Sequence, residues 1–270
     1  MNNTPQNKII QQTTVFCNAP SPAAVATPLA SPAQFSRRRA LSAFGASLAG
    51  LGTISGCGGA SSGSSIATGD GSCVLIPSET EGPYPLSVVL SNSTYVRGKI
   101  NEEKTGVPLT LKFKLVDINH DCEPFPYASF YVWHCDKDGL YSGYAQSASD
   151  TRGATFCRGI QDVNVKGEVT FHTIYPGWYA GRMTHIHFQV FLYNDTASVA
   201  TATSQLAFPA ETTDAVYNSS LYRNREPNNS VSSIAQDSIF ADGTDSQMVN
   251  VSGSVEDGFT ATLTVGIAAP

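Results

Sequence analysis

The first 56 residues contain no aspartate or glutamate. That lack sets them apart from the rest of the chain. Long apolar runs are missing as well. The best, Ala40 to Ile54, is about 15 residues and is broken by glycines, short of the roughly 18–20 needed to span a bilayer. Clustered cations are scarce. After residue 56, twelve Lys and Arg stand against twenty-two Asp and Glu, a net charge of about −10. Phosphate binding calls for clustered Lys and Arg, so this balance argues against nucleic acid as a partner. No two of the six cysteines have CxxC spacing, which disfavours a zinc knuckle. No internal repeat is visible.

What is present begins with an address. Arg37, Arg38 and Arg39 precede the short, weakly hydrophobic segment, a pattern that resembles a twin-arginine export signal. It ends in Ile54-Ser55-Gly56-Cys57, which resembles a bacterial lipobox with Cys57 as the lipidated first residue. Residues 1–56 therefore read as an export signal and 57–72 as a flexible Gly/Ser tether. The reading places the protein in the periplasm or at the cell surface, touching membrane only through a lipid on Cys57. Residues 73–270 suffice for a single domain with its own core. With Cys17 in the leader and Cys57 in the lipobox, Cys73, Cys122, Cys135 and Cys157 remain. They allow two bridges in an oxidising compartment, in any of three connectivities.

From residue 94 the pattern is one of short strands separated by Gly, Asp, Asn and Pro turns. Candidates are Thr94–Ile100, Leu109–Ile118, Ser129–His134, Leu140–Ala145, Glu168–Ile174, Arg182–Tyr193, Ser204–Phe208, Gln247–Ser252 and Thr260–Ile267. One short helix is expected, from Glu211 to Leu221. The spacing indicates an all-β sandwich or barrel-like domain.

The stretch Tyr175 to Val190 holds the densest chemistry. After a Pro-Gly turn come Tyr179, Arg182, His185 and His187. Alternate residues of a strand share a face, so the two histidines point the same way. Tyr141, just after the Asp138-Gly139 turn, would complete a set of two phenolates and two imidazoles. Phenolates are hard anionic donors that favour ferric iron, while calcium and magnesium prefer carboxylates and carbonyls.

Several separated motifs carry a resemblance. They are Trp133-His134-Cys135-Asp136-x-Asp138-Gly139-x-Tyr141-Ser142-Gly143, then Arg158-Gly159-x-Gln161, then Pro176-Gly177-Trp178-Tyr179-x-Gly181-Arg182-x-x-His185-Ile186-His187. Thr80-Glu81-Gly82-Pro83-Tyr84 stands upstream and Ser204-Gln205-Leu206 downstream. Together they resemble the intradiol ring-cleavage dioxygenases, more narrowly their secreted members, over roughly residues 73–268. The resemblance implies a single β-sandwich and a non-haem Fe(III) held by Tyr141, Tyr179, His185 and His187. It further implies a small aromatic diol and dioxygen as partners. The diol would displace Tyr179, which can receive its proton, and the ring would be cleaved between its hydroxylated carbons to a muconate-type dicarboxylic acid. Arg182 would stabilise negative charge on the ring, Gln205 would stand behind it, and Pro83, Tyr84 and Trp178 are candidates for the pocket wall.

Other residues read as structural: His134 and His172 in strands, His120 solvated in a turn, Asp136 and Asp138 as turn formers. Cys157 stands where an apolar residue is expected and Ala207 where a larger one is common. The helical segment that precedes the domain in catechol 1,2-dioxygenases has no room between Cys73 and Thr94, so a dimer built through it is not expected. Two rivals stand beside the main reading. A cupin would also use His-x-His, but no acid follows before Asp195. A non-catalytic surface lipoprotein or binding module could retain the same fold.

Overall fold

The computed structural model describes residues 73–225 and 227–270; the export-like segment, Cys17, Cys57 and the tether lie outside the described residues. The strands in chain order are β1 (Pro108–Asp117), β2 (Glu123–Pro124), β3 (Ala128–Trp133), β4 (Ala145–Gln146), β5 (Ser149–Asp150), β6 (Arg158–Asp162), β7 (Glu168–Ile174), β8 (His185–Leu192), β9 (Ala202–Ala207), β10 (Asn250–Ser254) and β11 (Gly258–Ile267). One α-helix, α1 (Ala210–Tyr217), follows β9.

Alternation builds the first sheet. Leu109, Leu111, Phe113 and Leu115 of β1 are buried, while Lys112 and Lys114 are exposed, because successive strand residues take opposite faces. β1 runs parallel to β11 and antiparallel to β7 and β2, and β10 pairs with β11. The second sheet has the order β6-β3-β8-β9, all antiparallel. The sheets meet face to face through aromatic contacts. Phe113 lies 4.8 Å from Phe130 of β3 and 5.1 Å from Phe188 of β8, centroid to centroid. This is the core of a β-sandwich.

All eight residues of β8 are buried. Ile186, Phe188, Val190 and Leu192 belong to the core between the sheets. His185, His187, Gln189 and Phe191 face the other way, onto a side that is covered instead of solvated. There Tyr131, Trp133, Tyr141 and Phe191 pack with Val89 and Tyr95 in a second apolar cluster. The cover is the chain before β1: Glu79 N–H donates to Thr203 O at 2.8 Å, and Tyr131 OH donates to Pro85 O at 2.6 Å.

Most expected strands form, and the main differences are these. Thr94–Ile100 is not a strand. It opens in a 3₁₀ turn and then bridges Val96 to Ile160 of β6 and Lys99 to His172 of β7. Crossing from the edge of one sheet to the edge of the other, it can extend neither. Leu140–Ala145 is not a return strand either. The Tyr141 backbone is bonded by the side chains of Gln146 and Thr151 in place of a partner strand. The central strand starts at His185, since Arg182 to Thr184 belong to the loop entering it. Of the two bridges that four cysteines allow, one forms, Cys73–Cys122, tying the start of the domain to the turn after β1. Cys135 and Cys157 are free and buried. No helix among the described residues is long and apolar enough to cross a membrane.

Phe113 touches both central strands of the facing sheet. Phe113→Ala is expected to cost about 3–5 kcal/mol of stability, read as a lower denaturant midpoint with an unchanged slope.

Candidate metal centre

One row of register partners crosses the second sheet. Arg158 of β6 stands opposite Trp133 of β3, Trp133 opposite His187 of β8, and His187 opposite Gln205 of β9. Directly opposed residues project to the same face, so these four side chains share the covered side. The Trp133 ring lies flat against the His187 imidazole, centroids 5.0 Å apart at an interplanar angle of 6°. His185 follows on the same face of β8, two residues back.

Two loops bring the tyrosines to this face, and Asp136 joins them. Its Oδ1 accepts from the N–H groups of Asp138 and Leu140, both at 3.0 Å, shaping the turn before Tyr141. Its carbonyl accepts from Gly177 N–H at 3.0 Å, holding the turn before Tyr179. Lys104 Nζ reaches the buried carboxylate at 2.6 Å. Asp136 is thus the turn former expected of it, and it serves both loops.

The four donor atoms converge. His185 Nε2 lies 3.2 Å from His187 Nε2, 2.9 Å from Tyr179 OH and 3.5 Å from Tyr141 OH. Donors held about 2.0–2.2 Å from one cation sit roughly 3 Å apart across a right angle. The spacing therefore fits a single metal ion. His185 Nδ1 is 2.6 Å from Met183 O. A proton on Nδ1 makes that bond and leaves the Nε2 lone pair aimed into the cluster. His187 Nδ1 is buried without a partner.

Burial dominates the electrostatics. It drives His185 down to about 3, helped by Arg182, and His187 well below its usual range, helped by His185. It pushes Tyr179 up to about 12, and Tyr141 well above the usual phenol range, where Tyr179 adds to the effect. Burial thus favours the neutral form of all four groups, two with lone pairs and two with protons to give up. That donor chemistry suits a hard, highly charged ion. Among the described residues no group of three or more His, Cys, Asp or Glu could hold a metal; this centre depends on its tyrosines.

Arg182 comes from the loop before β8. Its Nη2 donates to Gln205 Oε1 at 2.6 Å, its Nε lies 2.9 Å from each oxygen of Asp237, and its Nη1 is 3.4 Å from His185 Nε2. Gln205 Nε2 in turn donates to Thr80 O at 2.8 Å. Sequence reasoning missed Asp237, which lies 55 residues after Arg182 in a loop that no motif marks.

The wall candidates divide. Tyr84 stacks on Tyr141 at 4.8 Å. Pro83 is exposed beside it. Trp178 lies under the Arg225 guanidinium at 4.3 Å and lines a separate cleft of about 410 Å³ with Met183 and Tyr217; none of the four donor residues lines that cleft. His134 is buried between Cys135 O and Thr173 Oγ1, away from the donors. His120 is exposed and pairs with Asp117, and His172 is exposed in β7.

The fold agrees with the comparisons. The chain is similar to the intradiol ring-cleavage dioxygenase from Tetranychus urticae, at 27% identity and a TM-score of 0.62, over 73% of this chain and 95% of that one. It is similar to the crystal structure of a second dioxygenase at 26% identity and a TM-score of 0.62, with the same coverage. No protein-family model and no curated protein matches the sequence. The class the fold defines is the intradiol dioxygenase β-sandwich. These structural neighbours support the intradiol ring-cleavage dioxygenase family for this chain.

Gly82, at φ 69°, lies against the centre: a Cβ there would come within 3.0 Å of His187 Cε1. Gly82→Ala is expected to displace the imidazole and weaken metal retention while the core stays folded. Metal per chain after dialysis, beside a thermal melt, checks this; undiminished retention would show that His187 does not depend on the close approach.

Proposed function

We propose that the protein is a non-haem ferric dioxygenase that cleaves a catechol-type ring between its two hydroxylated carbons, consuming dioxygen and releasing a muconate-type dicarboxylic acid. The observation that carries the proposal is the convergence of His185, His187, Tyr141 and Tyr179 within hydrogen-bond distance of one point, with Arg182 beside them. Tyr141, Tyr179, His185 and His187 would hold a ferric ion, which when bound would supply Lewis-acid chemistry for a diol substrate.

The chain's own residues divide the remaining work. Tyr141 is buried, with its backbone bonded on both sides and Tyr84 stacked on its ring; it is the fixed phenolic ligand. Tyr179 is only half-buried and sits in the loop at the edge of the cluster. It is the ligand free to leave and to hold a proton from the entering diol. Arg182 offers Nη1 where negative charge would develop on the ring, a fixed donor in a dry site. Gln205 holds that guanidinium through Nη2. Tyr84, and more weakly Pro83, stand at the pocket wall.

We propose further that the protein works outside the cytoplasm, exported by the twin-arginine-like segment and held by a lipid on Cys57. The Cys73–Cys122 disulfide supports an oxidising compartment. A non-catalytic binding module of the same fold is the second reading, favoured by the exposed approach at Pro83 and Tyr179 only if turnover is absent.

The iron-loaded protein is expected to be red to burgundy from phenolate-to-iron charge transfer, with the band altered in Tyr141→Phe and Tyr179→Phe. Oxygen uptake is expected with at least one of catechol, protocatechuate and hydroxyquinol, giving a dicarboxylic product. A colourless iron-loaded protein would sink the ferric assignment. A semialdehyde product would refute the cleavage position, and iron without uptake across a diphenol panel would favour the binding module.

A further inference from the structure

The Arg182 guanidinium occupies a place where a positive charge is least welcome. Its Nη1 is 3.4 Å from His185 Nε2, the lone pair a metal ion would use. Like charges this close repel strongly where water is excluded, and Arg182 is itself 9% exposed. An arginine cannot escape by losing its proton. The two phenolates cancel only part of the ferric charge, so a centre of net positive charge still repels this guanidinium unless a further anion meets it.

Asp237 meets the need. It is fully buried, at 0% exposure. Both its oxygens lie 2.9 Å from Arg182 Nε. Oδ2 also accepts from Met183 N–H at 2.7 Å and Oδ1 from Ile239 N–H at 2.9 Å. These bonds fix the carboxylate to the loop that carries Arg182 and to its own turn. With Nε held by Asp237 and Nη2 by Gln205, Nη1 is the end turned towards the donors. Glu79 is the other acid whose field reaches Arg182, but its carboxylate bonds Gln247 instead.

We propose that Asp237 is a positioning residue that neutralises Arg182 and aims Nη1, so that a guanidinium and a ferric ion share one dry pocket. The inference rests on the ferric reading above. It assigns Asp237 to metal retention through charge, without coordination.

The test compares iron retention against a competing chelator in the wild-type chain, Asp237→Asn, Arg182→Gln and the double variant, each with a thermal melt. Asp237→Asn unmasks the guanidinium and is expected to lower iron affinity about 10- to 100-fold, the usual range for residues behind metal ligands. Arg182→Gln is expected to hold iron at least as well as wild type. The double variant, with neither charge, is expected to regain most of the loss. Equal retention by Asp237→Asn and wild type would overturn the proposal, as would a double variant no better than Asp237→Asn. Should Asp237→Asn fail to fold, Arg182→Gln decides: weaker iron retention than wild type overturns the proposal, and equal or stronger retention supports it. A wild-type chain that takes up no iron at all would be a different result, refuting the ferric reading itself.

Discussion

The two-residue repeat of β8, with both of its faces buried, is the constraint on which the rest depends. A strand at a sheet edge, or with one wet face, would present His185 and His187 to water, where each imidazole would titrate near its ordinary value. Here Ile186 and Phe188 anchor one face in the core. The same pleat commits both histidines to the covered side. The covering then removes water, and desolvation keeps the imidazoles neutral. Core packing and donor chemistry thus follow from one alternation. A slip of one residue in the register of β8 would send Ile186 and Phe188 into the site and both histidines into the core.

The tyrosines depend on a different device. They arrive on loops, which are less well fixed than strands unless something ties them down. Asp136 does so for both, through its carboxylate on one side and its carbonyl on the other. Its own charge is met by Lys104. The two loops then differ in how firmly they end. Tyr141 is enclosed, whereas Tyr179 stays at the rim. The proposed division into a fixed and a releasable phenol rests on that difference in burial.

The strands were legible where alternation is strict, as in Leu109 to Leu115 of β1, and where β-branched and aromatic residues cluster, as in β3 and β8. The helix was legible too, though it ends at Tyr217, earlier than Leu221. Thr94–Ile100 misled because its residues suit a strand while its backbone is divided between two sheets, and local pattern carries no record of that division. In the site, the shared face of the two histidines follows from spacing, while Tyr141 was marked by its place after the Asp-Gly turn and by the motif around it. Arg182 and Gln205 came with the motifs. Asp237 came from nothing in the sequence: a lone acid in an irregular loop has no periodicity, and only the fold brings it to Arg182. The disulfide was likewise undetermined among three pairings, since sequence distance does not fix which thiols meet.

The covering segment from Glu79 to Leu86 is more than a lid, because it contacts several parts of the site. Thr80 O accepts a hydrogen bond from Gln205 Nε2, which couples it to Arg182. Gly82 lies on His187, so close that a Cβ there would press on the imidazole. Tyr84 stacks on Tyr141. Pro85 O receives Tyr131 OH, and Leu86 N–H donates to Tyr144 OH on the loop that carries Tyr141. Arg158, buried without a carboxylate, is held by Ser142 and by Tyr131 OH, the phenol that itself bonds Pro85 O. Removing this strap would wet the histidines, free the first tyrosine and loosen the arginine network together. The working unit of the site therefore starts at Glu79, well before the first strand. The Cys73–Cys122 bridge closes the chain just upstream of it, tying the start of the strap to the body of the domain.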